Sequence, residues 1–322
     1  MAREADEDLL APIATRSTQS KGRETPEDPD PYRTSFERDR DRILHSKAFR
    51  RLKHKTQVFI NPEDDHYVTR LTHTLQVTQI GRALAQVLGL NEALTEAICL
   101  GHDVGHAPFG HIGEEALADY VGAEWLHSAQ ALRIFRVLEP LNLTWEVLDG
   151  VRAHSWKIEP PPATPEGSLC RFADRIAYLT HDVTDATRAG IIEPADLPRR
   201  SRELFGEPGS PWVSAMIEAV IEESHNSGEV AMAPATLDIM HEVRDFMFDR
   251  VYLRPESEAR RRQVFTVIHE LVDHFLDNPR EIPDSFRQAE ADVLQQVIDY
   301  VAGMTDRYAL RLHDDLFRPD RD

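Results

Sequence analysis

The sequence predicts an all-α protein, and three observations point there. Apolar residues recur at helical spacing from Ser35 onward, capping and stop residues punctuate that pattern, and no internal repeat or run of alternating strand residues interrupts it. Residues 1 to about 32 are polar, with Pro26, Pro29 and Pro31 among acidic residues, and predict a mobile tail. Residues 33–322 then read as a single all-helical unit, with a core over about 66–190 and further helices over about 191–322. Phe36, Ile43, Leu44, Phe49 and Leu52 predict one amphipathic helix, and residues 55–67, containing Asn61-Pro62, a loop or short strand pair. Thr69 to Leu88 is helical and stops at Gly89. Asn91 caps a helix running to His102. Helices follow over 114–120 and 127–138. Pro160 to Gly167 is a loop, and Ser168 caps a helix that ends near Gly190. The remaining helices are expected over 211–224, 235–250, 255–277 and 285–304.

A net charge of −19 argues against wholesale nucleic-acid coating but leaves room for a local basic pocket. Arg38, Arg40, Arg42, Lys47, Arg50, Arg51, Lys53 and Lys55 concentrate positive charge and suggest an anion-binding role. The two cysteines, Cys99 and Cys170, sit in apolar helical patterns and read as small buried hydrophobes. No apolar run reaches membrane-spanning length and the first residues lack a signal core, so a soluble, cytoplasmic protein with no membrane partner is expected.

The chemistry-bearing residues are His73, the adjacent pair His102-Asp103, and Asp174. Two imidazoles and two carboxylates form a mixed nitrogen/oxygen shell suited to Mn²⁺, Mg²⁺, Zn²⁺, Fe²⁺, Co²⁺ or Ni²⁺. Adjacent residues diverge on a regular helix, so His102 and Asp103 can meet one ion only where the helix ends or distorts. Gly101 and Gly105 permit that. Asp174, Tyr178 and Asp182 stand at i, i+4 and i+8 on one helical stripe, with Phe172, Ile176 and Leu179 opposite. His111 and Glu114, three apart, can pair if a helix starts at His111. Arg70 precedes His73 by one turn on the same side and can reach phosphate bidentately, and Arg175 is the next such cation. Metal-assisted phosphoester hydrolysis is what these spacings support.

The H…HD…D pattern resembles the HD-domain superfamily of metal-dependent phosphohydrolases. Longer runs, RRLKHKTQVF over Arg50–Phe59, TRLTHTL over Thr69–Leu75, HDVGHAPFGH over His102–His111 and ADRIAY over Ala173–Tyr178, resemble the deoxynucleoside triphosphate triphosphohydrolases. The likeness is close over about Phe36 to Gly190 and looser beyond. It implies an HD-domain helical bundle with additional C-terminal helices. One divalent metal, first Mn²⁺ or Mg²⁺, would be held by His73, His102, Asp103 and Asp174. It also implies hydrolysis of a dNTP to a deoxynucleoside and tripolyphosphate by attack on the α-phosphorus. In that reading His111 and Glu114 transfer protons and His106 hydrogen-bonds the α-phosphate. Tyr178 and Asp182 face the sugar, Gln57 contacts it, Val58 lies near the base, and His127 borders the site. Relatives pair this last histidine with Asn or Glu, whereas here Ser128 follows it. A dNTP effector and a homo-oligomer, tetramer or hexamer, are implied as well.

Two alternatives share these residues. One is another HD phosphohydrolase, a 5′-nucleotidase or a signalling-nucleotide hydrolase. The other is a nucleotide sensor or single-stranded nucleic-acid-binding module, supported by the basic run.

Overall fold

The computed structural model describes residues 2–57, 68–252 and 257–318. Among these the chain is all-α, with fifteen α-helices and no sheet. In chain order they are α1 (Ala2–Asp6), α2 (Ser35–His45), α3 (Lys47–Arg51), α4 (Arg70–Leu88), α5 (Glu92–Gly101), α6 (His111–Val121), α7 (His127–Arg133), α8 (Trp145–Ala153), α9 (Pro165–Arg188), α10 (Arg199–Phe205), α11 (Ser210–Ser227), α12 (Pro234–Met247), α13 (Ser257–Asp277), α14 (Val293–Ala302) and α15 (Asp306–Phe317). None of the described helices is long and apolar enough to cross a membrane.

The chain forms two compact units. The first comprises Met1–His45, Thr72–His102 and Leu141–Arg254, the second Ser46–Leu71, Asp103–Pro140 and Pro255–Asp322. Each draws on three separated stretches, so no shift of composition marks the division.

In the first unit α5 is central and packs on α2, α8 and α9, while α11 packs on α9. Local signals set several boundaries. Gly89 ends α4 at φ +67°, and the Asn91 side chain caps α5 by accepting from Leu94 N at 3.1 Å. Helix α9 starts earlier than Ser168 because Thr164 accepts from Gly167 N at 3.1 Å and Pro165 suits the first helical position. Cys99 and Cys170 form no disulfide and are fully buried. The amino-terminal segment departs from a mobile tail. Ala14 is buried, the Thr15 amide and hydroxyl donate to Glu166 at 3.0 and 2.7 Å, and Ser20 donates to Glu146 at 2.6 Å. Carboxylate anchors hold it along with the buried Ala14, which composition does not reveal. The basic run is largely spent internally here: Arg38 and Arg42 both bond Glu27 at 2.6 Å, and Arg40 bonds Asp41 at 2.8 Å.

In the second unit Phe109 and Leu117 share a core with Ile268, Leu271, Phe275, Val297, Ile298 and Val301. The helix expected through Leu52 instead breaks at His45. Ser46 starts α3 by accepting from Phe49 N at 3.1 Å. The helix expected over 285–304 starts only at Val293, where Asp292 caps it. Short α8, α10 and α15 were not anticipated.

Candidate active site

The first unit gathers His73 from α4, His102 from the end of α5 and Asp174 from α9. Their ligand atoms lie within 4.8 Å of one another. Both histidines are buried, and Asp174 is partly so. Asp174 Oδ1 stands 3.1 Å from His73 Nε2 and 3.7 Å from His102 Nε2. His102 Nδ1 donates to the Cys99 carbonyl at 2.7 Å, which fixes the tautomer and turns a basic Nε2 toward Asp174. Two imidazole Nε2 atoms converging on one carboxylate oxygen fit a divalent cation. His154 copies the arrangement of His102, with Nδ1 on the Val151 carbonyl at 2.7 Å, and its ring meets that of His102 edge-on at 5.1 Å.

Helix α5 stops at Gly101, so His102 and Asp103 leave the regular helix, as their adjacency requires. The division between the two units falls between these two residues.

The Asp174 stripe continues down α9. Burial pushes the Tyr178 phenol up to about 12, although the neighbouring Arg175 charge opposes this. Arg175 is itself buried and lies 4.4 Å over the Trp156 ring, so this cation is packed rather than extended. Asp182 is buried, and burial pushes it up to about 7 despite a hydrogen bond from the Tyr252 hydroxyl at 2.5 Å. Trp156 was not singled out from the sequence, since no periodicity links it to α9.

The second unit gathers Arg70, Asp103, His106, His111, Glu114 and His127. Arg70 Nη1 donates to Asp103 Oδ2 at 3.0 Å, and the arginine is buried, so it braces that carboxylate. His106 Nε2 stands 3.0 Å from Asp103 Oδ1, and its Nδ1 bonds Glu114. Burial and the Arg70 charge disfavour protonation of His106, but Glu114 and Asp103 together hold it above the ordinary histidine range. Glu114, although buried, is held well below the usual carboxylate range by His106 and His111. Its second oxygen takes His111 Nδ1 at 3.1 Å, and His111 is 79% exposed. One carboxylate thus orients a buried and an exposed imidazole.

His127, at the first position of α7, stacks on His106 at 3.8 Å with 15° between planes. Gly105 makes that approach possible: a Cβ there would lie 2.0 Å from the His127 carbonyl oxygen and 2.4 Å from Ala131 N. The glycine therefore serves contact rather than helix distortion. Gln57 has a buried Oε1 with no hydrogen-bond partner among the described residues. Val58 lies outside the described residues. Lys55, the last residue of the basic run, is buried, and burial together with the Arg51 charge pushes its ammonium down to about 7.

A helical scaffold presenting histidines and carboxylates in this way agrees with comparison to known proteins. Residues 70–179 match the HD domain, and residues 230–315 match the phosphohydrolase-associated domain. The protein is a hydrolase, a metal-dependent phosphohydrolase of the HD class.

Its relatives narrow the assignment. The deoxyguanosinetriphosphate triphosphohydrolase-like protein of Caldanaerobacter subterraneus subsp. tengcongensis is 45% identical over 97% of this chain and 93% of its own. Proteins of the same name from Desulfatibacillum aliphaticivorans and Clostridium perfringens are 43% and 42% identical. They cover 97% and 96% of this chain, and 95% and 94% of their own. The chain belongs to this deoxyguanosinetriphosphate triphosphohydrolase-like family.

Proposed function

We propose that the protein hydrolyses deoxynucleoside triphosphates to deoxynucleoside and tripolyphosphate, with water attacking the α-phosphorus and the sugar 5′ oxygen leaving. Likeness along nearly the whole chain to relatives bearing the triphosphohydrolase-like name carries this reading. The proposed metal ligands are His73, His102 and Asp174, joined by Asp103, which follows His102 in the chain. Mn²⁺ or Mg²⁺ is proposed, and the bound ion supplies a Lewis acid that neutralises phosphate charge.

Proton transfer is assigned to His111. Its exposed ring reaches solvent while Glu114 fixes its orientation. His106 is assigned as a donor to the α-phosphate through Nε2, the atom that faces Asp103 here. Arg70 and Arg175 are proposed to offset phosphate charge, and Arg70 does so from beside Asp103. Tyr178 and Asp182 are assigned to the sugar, and Tyr252 joins them through its bond to Asp182. Gln57 is assigned there too, supported by its buried side-chain oxygen. Val58 is proposed near the base and His127 as the stacking support of His106. A cytoplasmic homo-oligomer, tetramer or hexamer, with a dNTP effector completes the proposal. A monomer by light scattering would remove the oligomer. Single-stranded nucleic acid as a further partner loses support from the internal pairing of Arg38, Arg40 and Arg42.

Product analysis with Mn²⁺ or Mg²⁺ tests the reaction, using the four dNTPs singly and mixed, and GTP. Tripolyphosphate from dNTPs with little from GTP is expected, and turnover confined to the mixture would indicate the effector. Release of orthophosphate or pyrophosphate would move the protein to another HD activity.

A further inference from the structure

The loop between His106 and His111 is held in an unusual backbone conformation. Phe109 has φ +64° and Gly110 φ +61° with ψ −140°. Glycine takes such a conformation freely, but a bulky residue holds it only where its surroundings over-determine it. Two contacts do so besides burial of the Phe109 ring. Asp306 Oδ1 accepts the Phe109 N–H at 2.8 Å, and Oδ2 accepts the Thr56 N–H at 3.0 Å. Neighbouring Lys55 donates its buried ammonium to the His106 carbonyl, and to the Ala302 carbonyl at 3.0 Å.

Asp306 is the first residue of α15, yet its side chain does not cap that helix. Thr305 does, accepting from Tyr308 N at 3.3 Å. The buried Asp306 carboxylate is committed to two loop amides instead. Residues 55–56, 106–109 and 302–306 are thereby laced together, and the last of these lies within the phosphohydrolase-associated segment.

We infer that Asp306 is a positioning residue: it sets the backbone turn that places His106 and His111, and so couples the associated segment to turnover. The kinetic part rests on the proposed dNTP hydrolysis, whereas the structural part does not. Asp306→Asn is isosteric but keeps one acceptor and puts an NH₂ group against the other amide.

The test uses the full-length protein with Mn²⁺ and dGTP. In Asp306→Asn, hydrogen exchange of a peptide over residues 104–110 should quicken by about tenfold or more. Its kcat should fall by about 10²-fold with KM held within about twofold, since a misplaced proton-transfer group affects the chemical step. Thr305→Ala removes the α15 cap without touching the loop. It should lower Tm while leaving kcat and 104–110 exchange unchanged. Unchanged 104–110 exchange in Asp306→Asn would overturn the inference, as would a KM effect with normal kcat or an equal kcat loss in Thr305→Ala. If the wild type releases no tripolyphosphate, the substrate proposal falls, and the exchange comparison still decides the role of Asp306.

Discussion

Tyr252 donates its hydroxyl to Asp182 Oδ2 at 2.5 Å, joining the last turn before residue 253 to the middle of α9. The buried carboxyl accepts one short phenolic hydrogen bond. Removing the donor leaves Asp182 to bear its own desolvation. Tyr252→Phe should therefore destabilise the protein by about 1–3 kcal/mol in urea unfolding. An unchanged midpoint would mean that the bond contributes nothing net.

The same carboxyl predicts a pH dependence. Folded Asp182 holds its proton up to about 7, against an ordinary value of 3.8. Between these values the folded state binds more protons than the unfolded one, so this group's contribution to stability is full below about pH 4 and is lost as pH rises through 7. Metal-free protein should lose about 2 kcal/mol from this source between about pH 5 and pH 7. Asp182→Asn should flatten that slope. A slope identical to wild type would show that Asp182 titrates normally.

Metal binding separates the ligands from the proton-transfer group. His73→Ala, Asp103→Ala and Asp174→Ala should each weaken Mn²⁺ binding by calorimetry and remove activity with it, because each takes one donor from the proposed shell. Chelation of the wild type should do the same, reversibly. Wild-type Mn²⁺ affinity in Asp174→Ala would remove it from the proposed shell.

His111→Ala should keep Mn²⁺ and nucleotide binding while kcat falls by about two to four orders of magnitude, the usual contribution of a positioned acid or base. Glu114→Gln, which weakens the hold on both His106 and His111, should lower kcat as well. Full activity in His111→Ala would sink the assignment.

Gly105→Ala forces a methyl group to within 2.0 Å of the His127 carbonyl, so the start of α7 must shift and the His106–His127 stack must open. A stability loss of about 1–3 kcal/mol is expected from such overpacking. Calorimetric melting measures it, and a Tm equal to wild type would show that α7 yields freely.

Residues close in sequence made much of the site legible. The His102-Asp103 pair demands a helix end, and α5 ends there. Asp174, Tyr178 and Asp182 share a stripe because helix geometry repeats every three to four residues, and His111 reaches Glu114 for the same reason. Those relations follow from backbone periodicity, which the order of residue types displays directly.

What lies beyond that range was decided by the tertiary structure. Tyr252 on Asp182, Asp306 on the Phe109 amide, Glu166 on Thr15 and Arg175 over Trp156 join segments with no common periodicity. The interleaving of two units along the chain likewise leaves no local trace. The sequence by itself determined an all-α chain, its principal caps and stops, and the residue types able to bind a metal and move a proton. Only the folded chain decided which distant donor each buried carboxylate received, because a hydrogen bond is specified by where the backbone returns and not by the residues that flank it.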